Sequence, residues 1–258
     1  YYADRLYELP LAIVGIAVGV VLLPDVARQL RAGNIDGVMD SQNRSLEFAM
    51  LLTIPAALAL AIIPAEIIHV LFERGAFKAS DTQATAAVLS VFALGLPAFV
   101  LIKVFSPAYF AREDTKTPMR FAAISLTANT LGSITLFFLF RSWGWMPQLG
   151  IAVATSLGGW LNAWLLWSTL HARGNFKTDD RLRRNLPLIG LASVAMAAVL
   201  YVVNGWLEPL MQGSRGILVE AAALAFLVAT GLLAFAIFIL ATGVMTPAQL
   251  KRFTRRSG

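Results

Sequence analysis

Cysteine is absent from this chain of 258 residues, and histidine occurs only twice, at His69 and His171. Disulfides, thiolate metal centres and cysteine nucleophiles are therefore excluded, and two distant imidazoles give no zinc-ligand spacing. Charge is scarce as well. Asp, Glu, Lys and Arg make up 14% of the residues, against about 25% in ordinary soluble domains. No glycine-rich phosphate loop, catalytic triad or metal motif is present. What remains is apolar: the hydrophobic fraction is 58% and the mean hydropathy is +0.70.

That apolar content is gathered into seven runs, at 9–24, 47–71, 85–110, 118–140, 148–170, 186–207 and 217–244. A run of about 20 apolar residues crosses a bilayer as a helix. The chain is thus expected to be an all-α integral membrane protein with about seven transmembrane helices. The first run is short unless its helix starts upstream of Glu8.

Basic residues fix an expected orientation, because short cytoplasmic loops collect Lys and Arg. On one side lie Arg5, Arg74, Lys78, Arg141 and Arg215, five in all. The other side holds fifteen, from Arg28, Arg31 and Arg44 through Arg112, Lys116 and Arg120, then Arg173 to Arg184, to the basic tail at 251–258. The tail is expected in the cytoplasm and Tyr1 toward the outside. The net charge of +6 is accounted for by topology and by anionic lipid headgroups, so no nucleic-acid partner is expected. A seven-helix retinal protein lacks support, since the last run has no Lys.

Polar residues within the runs are the candidate functional groups, because each costs several kcal/mol at membrane depth unless paired or wet. Lys103 lies inside the third run. Glu66, His69 and Glu220 sit near run ends, where interfacial solvation is expected. Asn129 and Ser133 share a helix face at i,i+4, and Thr155, Ser156 and Asn162 follow in the next run. These groups suit interhelical hydrogen bonding, and Asn129, Ser133 and Thr155 are also a candidate small-cation site, weakened by the lack of a carboxylate. Pro55, Pro64 and Pro97 should kink their helices, and Gly150, Gly158 and Gly159 offer a small-residue packing face. Gly75 is expected to allow a tight turn, with Asp114 or Thr115 capping the helix that holds Pro118.

Three stretches carry a family resemblance. Tyr-Tyr-Ala-Asp-Arg-Leu-Tyr-Glu-Leu-Pro opens the chain (1–10), Leu-Phe-Glu-Arg-Gly-Ala-Phe occupies 71–77, and Tyr-Phe-Ala-Arg-Glu-Asp-Thr-Lys-Thr-Pro occupies 109–118. In this order and spacing the chain resembles the MurJ (MviN) family of bacterial lipid II flippases, within the MOP exporter superfamily. The resemblance implies a fold of fourteen helices, two six-helix lobes followed by two extra helices. This chain would supply the second lobe, less its first helix, and both extra helices. Residues 1–175 would be lobe helices and 176–250 the extra pair, forming a groove for the lipid tail. Together with the odd number of runs and the start at Tyr1, it leads us to expect the C-terminal portion of a longer chain, whose N-terminal half would complete the cavity.

The resemblance further implies flipping of lipid II across the inner membrane by alternating access, in peptidoglycan biosynthesis. No cofactor is implied beyond the membrane potential or a Na+ or H+ gradient. The family's cavity arginine matches Arg5, with Asp4 orienting or partly neutralising it; Arg suits phosphate through its fork of donors. Lys103, from its depth in the third run alone, either snorkels or lines the polar cavity as a further substrate-binding residue. The rival readings are another MOP-type exporter, for polysaccharide or drugs, and a non-transporting membrane scaffold.

Overall fold

The computed structural model describes residues 2–211 and 216–244. Among them are eight helices: α1 (Tyr2–Arg31), α2 (Ile35–Ile62), α3 (Pro64–Phe72), α4 (Ala79–Phe110), α5 (Lys116–Ser142), α6 (Pro147–Ala172), α7 (Asp180–Met211) and α8 (Ile217–Ala241). Seven are long and apolar enough to cross a membrane, as hydropathy predicts. The basic tail at 251–258, residues 245–250 of the expected last segment and Arg215 lie outside the described residues. The first helix starts at Tyr2, which resolves its shortness and brings Asp4 and Arg5 into its first turns.

The second run differs from expectation. It is two helices, broken at Ile63, whose φ of −119° and ψ of 40° leave the helical region. Pro64 is the cause. Lacking an N–H and carrying a ring that crowds the preceding turn, it starts α3 as a first helical residue. Pro55 and Pro97 stay within continuous helices, because the bilayer penalises any freed backbone group that a neighbour does not satisfy.

The centre of the bundle is α4, which packs against α1, α2, α3 and α6, while α6 lies between α4 and α5. The α6 helix makes the closest approaches. Its buried face is made of small residues, among them Gly150, Ala152, Ala154, Ser156 and Gly159. A Cβ at Gly150 would stand 2.6 Å from the carbonyl carbon and oxygen of Leu136 in α5, and one at Gly95 in α4 would stand 3.1 Å from the Cα of Ser156. Backbones approach this closely only without side chains between them. Hydrogen bonds lock the α4–α6 seam: Ser156 Oγ donates to the Val91 carbonyl at 3.1 Å, and Tyr109 Oη to the Leu166 carbonyl at 2.7 Å.

The remaining pair, α7 and α8, pack on each other and attach through α2 and α3. Gly75, at φ 62°, makes the turn after α3, as expected. Gly150→Val should lower stability by about 1–3 kcal/mol through overpacking, read as a fall in melting temperature in detergent or nanodiscs. Gly190→Ala is the control: nothing lies within 4 Å of its added carbon, so stability should hold or rise.

Candidate functional site

Residues 2, 5, 9, 13, 16 and 20 form an exposed stripe along α1. All are apolar or aromatic except Arg5, whose side chain is 62% exposed and lies 3.4 Å from Glu8 Oε2. Glu8 is a carboxylate that the sequence reading did not assign; its position one helical turn beyond Arg5 was the available signal. Asp4 lies beside the Tyr7 hydroxyl, and the Tyr7 ring packs between Phe92 and Phe99 of α4, with centroids 5.1 and 5.9 Å away. The first turns of α1 are thereby held on α4, and the Arg5 side chain stays exposed.

Lys103 is exposed, and its aliphatic stem lies over Gly15, with Cγ 3.8 Å from where a Cβ would be. Ten residues of helix separate Gly15 from Arg5, about 15 Å. Arg5 and Lys103 therefore stand at different depths along the α1–α4 edge; they do not form one anion cradle.

The candidate cation group is brought together. Asn129 Oδ1 accepts from Ser133 Oγ at 3.1 Å and from Thr155 Oγ1 at 3.3 Å, joining α5 to α6. Both acceptor directions of this oxygen are thus occupied by hydroxyl protons. Ser156 serves the α4 seam instead, and Asn162 Oδ1 is buried without a partner. Thr127 and Thr130 bond back to carbonyls of their own helix.

Two polar clusters fasten α7 and α8. At the arginine-rich end, Glu47 of α2 is 9% exposed and accepts from Asn185 Nδ2 at 2.6 Å and from Arg181, whose Nε is 3.2 Å away. Arg44 joins Glu47 and Asp179. Asp179 also caps α7, accepting from Leu182 N at 2.8 Å, and Asn43 Nδ2 donates to the Lys177 carbonyl at 2.9 Å. Sequence reading took Arg44 and Arg181 as topology markers and missed Glu47; Arg44 one turn away was a local signal, but Arg181 and Asn185, 134 and 138 positions away, leave none.

At the opposite end, Glu66 accepts from Asn204 of α7, and His69 sits between Glu73 and Glu220 of α8. These groups, expected to be merely interfacial, are paired across helices. Hydrogen bonds from Thr82 and His69 hold the Glu73 carboxyl below its ordinary range.

Between the two clusters lies an apolar cavity of about 330 Å³, lined by Leu51, Pro55, Ile63, Met196, Leu200 and Phe235, among others from α1, α2, α7 and α8. The turn at 111–115 is also well held. Asp114 accepts from Thr117 N at 3.0 Å and Thr117 Oγ1 at 2.7 Å, and pairs with Arg173 at 2.7 Å. These bonds lower its carboxyl to about 2. Asp114, not Thr115, supplies the cap.

Long apolar helices, paired polar groups at their ends and an apolar side cavity define a polytopic α-helical membrane protein. The family model for the lipid II flippase MurJ matches residues 1–222, and the chain belongs to that family. Similar relatives include probable lipid II flippases MurJ from Rhizobium tropici, 41% identical over 99% of this chain and 47% of the relative, and from Rhizobium meliloti (strain 1021), 42% identical over 99% and 46%. A solved structure described as lipid II flippase MurJ, inward closed conformation, superimposes with a TM-score of 0.69 at 26% identity, over 93% of this chain and 45% of that one. The chain therefore spans about half the length of the relatives it matches.

Glu47→Ala should destabilise the protein by about 2–3 kcal/mol. That is somewhat less than a fully buried ion pair costs when broken, because Arg181, half exposed, can turn to water. Glu47→Gln should cost less, since the Asn185 bond survives. Thermal melts of the three proteins check the order.

Proposed function

We propose that this chain forms one side of the pathway along which lipid II is flipped across the bacterial inner membrane. The observation that carries the reading is Arg5: in a chain of this family, the one charged residue of the exposed α1 stripe is a guanidinium near the end of the helix away from the arginine-rich loops. A pyrophosphate moving along that face would meet a fixed bidentate donor, with Asp4 and Glu8 beside it. Lys103, about 15 Å deeper, offers a second cationic station rather than a shared one. The orientation that supports this places the arginine-rich end and the tail in the cytoplasm.

The headgroup and the tail would travel in different media. The apolar cavity between α2, α7 and α8 suits an isoprenoid chain that stays in lipid while the polar head crosses. Alternating access would come from rocking of this lobe against a second one. Asn129, Ser133 and Thr155 satisfy each other without a carboxylate, which favours the membrane potential over sodium binding at that cluster as the driving force.

Arg5→Ala in the full-length protein should abolish lipid II translocation while membrane insertion and melting temperature stay unchanged. Translocation assayed in proteoliposomes at wild-type rate would remove Arg5 from the pathway.

A further inference from the structure

Where α3 approaches α8, three titratable side chains meet that the transport reading does not use. His69 Nδ1 is 2.9 Å from Glu73 Oε2, and its Nε2 is 3.8 Å from Glu220 Oε2; the three side chains are 30%, 21% and 20% exposed. Nε2 is buried and has no hydrogen-bond partner. In a neutral imidazole one nitrogen donates and the other accepts. With Nδ1–H given to Glu73, Nε2 turns a lone pair toward a carboxylate, an arrangement that gains nothing. One added proton makes Nε2 a donor and sets a cation between two anions, bridging α3 to α8.

Other charged groups stand around this point, the Lys78 ammonium at the start of α4 among them. On α3, Glu66 accepts from Asn204 of α7. In the turn that follows, Arg74 donates to the Val70 carbonyl at 2.7 Å. At the start of α4, Asp81 accepts from the Lys78 amide at 2.9 Å, and Thr82 donates to Glu73. The near end of α1, which meets α3 at Tyr2 and Phe72, brings Asp4, Arg5 and Glu8, the last two facing each other. On α8, Glu220 has His69 as its partner.

We propose that His69, Glu73 and Glu220 form a proton-binding site that clasps α8 to α3. The two ends of the α7–α8 pair then behave differently. At the arginine-rich end Glu47 is held by guanidinium groups, which keep their charge at every physiological pH. At the opposite end the tie to α8 depends on a proton that the imidazole can take up or release. Acid on that side closes the pair against α3; neutral or alkaline conditions let it loosen beside the apolar cavity. The site acts on α8 whatever occupies that cavity.

The test uses the full-length protein in nanodiscs, with spin labels replacing Leu71 on α3 and Leu218 on α8, both exposed. Their distance distribution is measured by pulsed electron resonance at a series of pH values between about 5 and 8. In the otherwise native protein the distribution should shorten and narrow as pH falls. That response should be lost in His69→Gln, which stays neutral throughout, and in Glu220→Gln, with melting temperatures verifying that both variants fold. A flat profile without these substitutions, or an unchanged response in either variant, overturns the proposal.

Discussion

The closeness of α6 to its two neighbours is the constraint on which the rest of this structure depends. In a membrane, helices gain little from burying apolar surface against one another, because lipid is as apolar as they are. Association must come from close packing and from hydrogen bonds. Gly95, Gly150 and their small neighbours let three backbones approach, and Ser156 and Tyr109 then reach carbonyls of the facing helix. Those contacts set the height of α4, and α4 in turn carries α1 and its Arg5.

The attachment of α7 and α8 follows a second rule: polar groups at membrane depth must be paired. Glu47 meets that demand with Arg181, Asn185 and Arg44, and Phe176 of the connecting segment is buried against Phe105, centroids 5.7 Å apart. The connection between α6 and α7 is therefore a packed joint, not a free tether. Ionic and hydrogen-bonded ties sit at both ends of the pair, and the apolar cavity lies between them. A hydrocarbon chain entering there would displace lipid without disturbing a charge.

Much of this was legible locally. Hydropathy located the crossing helices, since each needs only its own run of residues. Gly75 and Asp114 could be read as turn and cap because their partners are a few positions away, and Asn129 and Ser133 share a face by helical periodicity. The break at Ile63 was half legible: Pro64 announced a disturbance but not that the helix would restart. Pairings across the fold were not legible. Glu47 with Asn185, Glu66 with Asn204 and His69 with Glu220 join residues from helices far apart in sequence. Periodicity says nothing about which helices become neighbours. For the same reason Arg5, matched by motif, and Lys103, singled out by its place inside an apolar run, stand at separate depths.

On the proposed reading, head and tail of a polyprenyl pyrophosphate take separate routes, the head along α1 and the tail between α2, α7 and α8. The most direct measurement is photo-crosslinking of the full-length protein with a polyprenyl pyrophosphate whose tail bears a diazirine, followed by peptide mapping. The account predicts label in peptides containing Leu51 to Ile63, Met196 to Leu200 and Phe235, competed away by unlabelled lipid. Label confined to the outer face of α5, or uncompeted label spread over all exposed helices, would contradict it.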